Sequence, residues 1–293
     1  MGAARPEFKS FHFTYGSAVG AGIQALFATG EYEKALLAAF LEWDMELLAG
    51  IDIPAQEIGK KEKLPKHDPK SFVFVIEAIK QFMPHYYILQ DEWEIYSYEI
   101  NGETKRAIEL SARVYLPNDF VYRIYIDIVL RHKVSGKLTV LELKTDGAKY
   151  EAQESKYGNS NQALSYSVIL DKIAHGISSF DVFYFVYYTA LERWEFFSFT
   201  KTRVQKANWI RTVLYDTGNI HQCITDDFFP KQGESCTDYN SPCEYYRACD
   251  MSNFSLYAGD NVLLERVAKE DKEDYDFSFS LQEILDQQLE AVT

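Results

Sequence analysis

A chain of 293 residues and 33.9 kDa is long enough to bury one large core, or one core with a small appended lobe. Hydrophobic residues make up 47% and charged residues 25%, the proportions of an ordinary globular protein. The apolar runs at 35–39 and 180–188 are too short to span a bilayer, and the opening residues Met1–Glu7 carry no signal segment, so no membrane partner and a cytoplasmic location are expected. The net charge of −14 argues against a generic polyanion binder, which is usually basic. Its distribution weakens that objection: residues 259–293 hold ten acids and three bases, a net −7.

In chain order, residues 16–43 read as helix, with small residues first (Gly16, Ala18, Gly20, Ala21, Gly22) and then an apolar face through Leu26, Leu36, Leu37 and Phe40; Gly30 breaks it in two. Residues 51–70 are polar, contain Pro54, Pro65 and Pro69, and read as an exposed connection. A short apolar helix is expected over 72–81, ending before Pro84. From Asp91 to Lys144 the period becomes strand-like. Strands are expected at 93–96, 108–116, 121–131 and 137–145, with turns at Pro117–Asp119 and Ser135–Gly136, forming an antiparallel meander. A helix over 161–173, strands over 180–189 and 193–199, and a helix over 201–215 complete an α/β sandwich around a mixed sheet flanked by helices.

The central hairpin carries the chemistry. A turn centred between Val134 and Ser135 sets Asp127 directly opposite Glu142, with Lys144 on the same face. Opposed carboxylates repel at a Cβ separation of about 5 Å, an arrangement that becomes useful when a divalent cation lies between them; hard oxygen ligands suit magnesium or manganese. Lys144 then serves as a fixed positive charge beside an attacking water or a phosphate. The bland alternative is a surface ion pair of Asp127 with Lys144 on an edge strand. Against it, Ile126, Ile128 and Val129, and Val140, Leu141 and Leu143, surround these charges with apolar residues, and buried charges need a reason.

On the next helix Gln162 and Tyr166 stand four apart, on one face. The order Gly16 and a small residue, then Asp127, then Glu142-Leu-Lys144, then Gln162-x-x-x-Tyr166 resembles the RecB-type nucleases of the PD-(D/E)XK superfamily. The closer likeness is to the CRISPR-associated and phage-encoded iron–sulfur exonucleases, which add a cysteine cluster. The resemblance spans roughly Gly16 to Cys249. It implies a PD-(D/E)XK restriction-endonuclease-like core in which Asp127 and Glu142 are ligands of Mg2+ or Mn2+ and Lys144 is the catalytic lysine. Gln162 and Tyr166 would position the DNA backbone or the lysine. The family usually has a metal-ligating histidine where this chain has Gly20.

All four cysteines, Cys223, Cys236, Cys243 and Cys249, fall within 27 residues near the end. In a cytoplasmic protein such a group reads as a metal site before disulfides. Four thiolates suit a 4Fe-4S cluster or structural zinc, and His221 is an alternative to Cys223. The segments around Phe228–Cys236 and Ser241–Tyr246 resemble the terminal cluster region of the same exonucleases, where the first ligand often lies near the N-terminus; here Cys223 must serve.

The expected organisation is therefore a nuclease core over 1–219, a cysteine metal lobe over 220–258, and an acidic tail over 259–293. That tail reads as a solvated linker ending in a short amphipathic helix at Leu281–Leu289, which either solubilises the chain or docks a recombination or replication protein. The expected activity is a metal-dependent exonuclease acting on DNA that is single-stranded or has free ends, in phage or bacterial recombination, repair or DNA processing. The alternative is a catalytically weak nuclease-fold subunit for DNA binding or assembly. The 41 tyrosines and phenylalanines are core by default, some of them free to stack on bases.

Overall fold

The structure, a computed structural model, describes residues 11–50, 71–147, 157–158, 160–174, 179–226, 228, 275–281 and 283–284. The chain divides into two compact units, one of residues 8–213 and 275–293, the other of residues 1–7 and 214–274. The sheet and the carboxylate site belong to the first. Of the cysteines only Cys223 lies in the described residues, so the expected four-thiolate lobe falls outside them.

Helix α1 (Phe11–Thr29) ends where expected. Gly30 adopts φ +75° and its N–H donates to Leu26 O at 2.8 Å, the left-handed closure that glycine makes without steric cost. Helix α2 (Tyr32–Gly50) then folds back along α1. The close approach is set at Gly22, where a Cβ would collide with Ile79 Cδ1 and meet Ala35 O and Ala39 Cβ at 3.2 Å.

Helix α3 (Phe72–Glu92) continues through Pro84, beyond the end expected at 81. Its buried stripe of Val75, Ala78, Ile79, Phe82, Tyr86 and Leu89 runs on at helical spacing past the proline. Pro84 sits on the exposed face, so the carbonyl left without an N–H partner, that of Lys80, is on the water side, where its loss costs least.

The sheet has the order β8-β7-β6-β5-β4-β9, with β1 also paired to β5. Its strands are β1 (Trp93–Ile95), β4 (Ile108–Tyr115), β5 (Val121–His132), β6 (Leu138–Asp146), β7 (Ser179–Tyr188), β8 (Arg193–Thr202) and β9 (Phe277–Ser280). The pairs β6–β7 and β4–β9 are parallel; the others are antiparallel. The sheet is thus mixed and flanked by helices, as expected. A separate hairpin, β2 (Ser97–Ile100) with β3 (Glu103–Arg106), was not expected. Its signal is present in the sequence: Asn101-Gly102 takes φ 53° and 80°, as a two-residue primed turn requires.

One face of the sheet, through Ile128, Leu130, Leu141, Phe185 and Tyr187, packs on α1 and α3. Helix α4 (Asn161–Ala174) is buried without a break from Ala163 to Leu170. Helix α5 (Arg203–Thr225) extends past its expected end at 215. It opens on a capping box in which Thr202 N–H donates to Gln205 Oε1 at 2.9 Å and Gln205 N–H to Thr202 Oγ1 at 3.3 Å, satisfying two end groups reciprocally. In its first turns Lys206, 4% exposed, pairs with Asp171 of α4.

The segment expected to be a solvated acidic tail supplies β9. In Phe277-Ser278-Phe279-Ser280 the period is two, Phe279 is buried, and Asp276 takes hydrogen bonds from Ser111 N and Oγ at 2.9 and 3.0 Å and from Lys105 at 3.0 Å. Leu281 and Ile284 are also buried. The high charge of 259–293 hides this short apolar stretch when the segment is read as a whole. Among the described residues no helix is long and apolar enough to cross a membrane.

The glycines of α1 separate into two kinds. A Cβ at Gly20 meets nothing within 4 Å. Gly20→Ala should therefore stabilise the fold by about 0.5–1 kcal/mol through the unfolded state and helix propensity. Gly22→Ala should destabilise it by about 1–3 kcal/mol through overpacking. Chemical denaturation of both variants checks the opposite signs.

Candidate active site

Strands β5 and β6 pair from Arg131 opposite Leu138 to Ile128 opposite Leu141. This is the register expected from the turn at Ser135, and one step further along it stand Asp127 and Glu142. The ladder stops there. Asp127 replaces the missing backbone contact with its side chain, Oδ2 accepting the Leu143 N–H at 2.9 Å. That bond ties the carboxylate to the strand bearing its partner.

Glu142 is only 2% exposed. Lys144 Nζ lies 2.6 Å from Glu142 Oε1, and Tyr166 OH donates to Oε2 at 2.5 Å. Lys144 Nζ also donates to Gln162 Oε1 at 3.0 Å. Two residues of β6 and two of α4 thus form one connected chain, Gln162–Lys144–Glu142–Tyr166, beside Asp127. The four-residue spacing of Gln162 and Tyr166 sets both toward β6, one helical turn apart. All five residues singled out in the sequence around this hairpin come together here; the cysteines do not enter this site.

The electrostatics follow from crowding negative charge in a poorly solvated place. Burial, and then the neighbouring Glu142 carboxylate, push Asp127 up to about 7, against the opposing influence of the Leu143 N–H and Lys144. Tyr166 is held far above its ordinary value, first by burial and then by the charge and hydrogen bond of Glu142. It is a neutral donor throughout the physiological range.

Two residues near the site carried no sequence signal. Glu109 of β4 lies between the pairs Ile108–Ile128 and Leu110–Ile126, hence across from Asp127, and adopts φ 50°, a conformation that costs a non-glycine residue energy. Its charge adds to the upward push on Asp127. Tyr184 of β7 pairs with Glu142, is buried, and is pushed up to about 12, chiefly by burial. Helix α1 comes close at Gly16, where a Cβ would stand 3.0 Å from Thr145 Oγ1. Gly20, one turn on, leaves open space.

Asp127 and Glu142 suit a hard divalent cation by donor type, and a cation would relieve the charge crowding that raises Asp127. Among the described residues no group of three or more His, Cys, Asp or Glu is close enough to hold a metal ion. The side chains therefore offer two carboxylates. This suits Mg2+, which is often held by one or two carboxylates while water and substrate phosphate fill the other positions.

No protein-family model matches the chain, and no curated protein matches it. One similar solved structure is described as "Crystal structure of SSO0001". It is 12% identical, with 63% of this chain and 75% of that chain covered, at a TM-score of 0.24, a likeness too low to carry an argument.

An acid whose folded value is raised binds its proton more tightly in the native state, so its contribution to stability falls as pH rises between the unfolded and folded values. For Asp127 that window runs from 3.8 to about 7. Asp127→Asn should accordingly be more stable than wild type at pH 8 in EDTA, with the difference shrinking toward pH 4. Thermal melts of both proteins across this range test it, and an unchanged difference would remove Asp127 as the strained group.

Proposed function

We propose that the chain is a divalent-metal-dependent deoxyribonuclease, an exonuclease acting at DNA ends, on a PD-(D/E)XK fold. The observation that carries this reading is the buried Glu142 with Lys144 on one oxygen and Tyr166 on the other, next to an Asp127 whose acidity is depressed by burial and then by the same negative charge. A sheet gains little from such a cluster as structure, because burying charge costs several kcal/mol per ion before pairing returns any of it.

In this reading Asp127 and Glu142 hold Mg2+ or Mn2+. The metal, when bound, supplies an activated water and charge stabilisation at a phosphoryl oxygen. Tyr166 holds the Glu142 carboxylate through Oε2, and the Leu143 N–H holds Asp127, so each carboxylate is anchored by a hydrogen bond from the protein. Lys144, one-third exposed and oriented by Gln162, sets a positive charge where negative charge grows on the scissile phosphate. Gln162 acts through Lys144 as a positioning residue.

The catalytically weak alternative is favoured by the glycine at position 20, where the resembled family has a metal-ligating histidine. The test that separates the two is cleavage of end-labelled single- and double-stranded DNA with Mg2+ or Mn2+. Glu142→Gln keeps the shape and a hydrogen-bond partner for Tyr166, where alanine would leave Tyr166 and Lys144 unpaired. It should lower the rate by roughly 10²-fold or more, the scale for removing a preorganised charge stabiliser, with the melting temperature largely kept. Wild-type cleavage in the variant would place the chemistry elsewhere; DNA binding without cleavage in the wild type would favour the alternative.

The proposal for the cysteines rests on the sequence. Cys223, on α5, is half-buried. Protein purified without oxygen should be brown, with broad absorbance, if the four thiolates hold an iron–sulfur cluster, and colourless with one tightly held zinc in the other case. Absence of both metals would end the four-thiolate reading.

A further inference from the structure

A cleft away from the carboxylates opens between α4, the start of β7 and the junction of β8 with α5. Ser167, Asp171, Phe180, Lys201, Arg203 and Lys206 are among the residues that line it, and it holds about 210 Å³ of space counted to its open mouth. Strand β7 gives its distance from the carboxylates. Tyr184 pairs with Glu142, and Phe180 is four residues back along the strand, about 13 Å at ~3.3 Å per residue.

The charges of this cleft do not balance. Lys206 is paired with Asp171. Lys201 is only 1% exposed, yet its ammonium donates to a neutral acceptor, the Gly158 carbonyl, at 2.5 Å, and otherwise faces the Phe199 ring at 5.9 Å. An ammonium has three donors, so two are left over. Burial pushes Lys201 down, and no carboxylate among the described residues offsets that shift. Arg203 is exposed and has no ion pair or hydrogen bond among the described residues. Three cations against one carboxylate leave the cleft with a net charge of +2. An ammonium taken out of water without a counter-charge is costly, and a fold keeps one more readily where a ligand supplies that charge.

The backbone points the same way. These cations gather at the N-terminal end of α5, where N–H groups lack intrahelical partners and the helix dipole is positive. Acids are favoured in such a place, and α5 has none in its first turn. An anion in the cleft would answer the buried ammonium and the helix end together. A tetrahedral oxyanion has acceptors enough for the Arg203 fork, the unused Lys201 donors and the helix-end N–H groups at once; a halide does not.

We infer that this cleft binds a phosphate group, held by Lys201, Arg203 and the N-terminal end of α5. The cleft is separate from the Asp127–Glu142 site, and nothing in its chemistry depends on the nuclease reading.

Isothermal titration calorimetry of the full-length protein with inorganic phosphate, in EDTA and against chloride at matched ionic strength, tests this. Wild type should bind phosphate saturably, and its melting temperature should climb with phosphate but not with chloride. Arg203→Gln alters an exposed side chain and should leave the fold intact while weakening phosphate binding roughly tenfold, the scale of one charged hydrogen bond. Lys201→Met should abolish binding; should that variant fail to fold, Arg203→Gln still decides. A 5′-phosphorylated oligothymidylate, set against its unphosphorylated form, separates the sources of the phosphate. A preference for the phosphorylated strand that Arg203→Gln removes assigns the cleft to a nucleic-acid end, and binding of inorganic phosphate without that preference assigns it to the free anion. Phosphate that acts no differently from chloride, or that binds wild type and Arg203→Gln equally, would overturn the inference.

Discussion

Glu142 is the constraint around which the rest of this molecule is arranged. A carboxylate at 2% exposure in the middle of a sheet is tolerable only if its oxygens are occupied, and here both are, by Lys144 and by Tyr166. The tyrosine comes from α4, so that helix cannot slide along the sheet without unpairing a buried charge. The lysine in turn engages Gln162 at the start of the same helix. The buried run from Ala163 to Leu170 supplies the apolar contact that keeps α4 there, and the polar chain fixes its register.

Burial, and then the same carboxylate, create the strain at Asp127. Two acids on neighbouring strands, one of them deeply buried, cannot both ionise without cost, and Glu109 across the other strand adds to the load. The fold offsets this with the Leu143 N–H and with Lys144, but only in part, since Asp127 remains well above its ordinary value. Structural ion pairs are usually arranged to reduce such crowding. The proposed nuclease function accounts for a site that keeps it, because a cation between hard oxygen donors on rigid strands would relieve the crowding.

A whole-chain charge does not describe the local surroundings of the sheet. Net charge sets solubility and long-range attraction, but the opposed Arg113 and Arg123 and the exposed tyrosines are local features that a whole-chain sum averages away. The same averaging hid β9: a segment of net −7 contains four residues of alternating phenylalanine and serine that complete the sheet beside β4.

What the sequence by itself determined is the part encoded locally. The alternation of 121–131 and 137–145, with Ser135-Gly136 between them, fixes the β5–β6 register and hence the opposition of Asp127 and Glu142, because strand period and turn position leave little freedom. Gly30 ended α1 for an equally local reason, and the spacing of Gln162 and Tyr166 put them on one helical face. Other features were decided only by tertiary structure. Pro84 is accommodated inside α3 because the buried stripe goes on and the proline faces water, which depends on what packs against the other side. Phe277–Ser280 becomes a strand because β4 has an open edge and Ser111 and Lys105 receive Asp276. Tyr166 reaches Glu142 across 24 residues of chain, and Glu109 comes to lie across from Asp127 by strand pairing. Periodicity in a sequence tells which face of an element is buried, not what it is buried against, and every contact in this last group depends on the second.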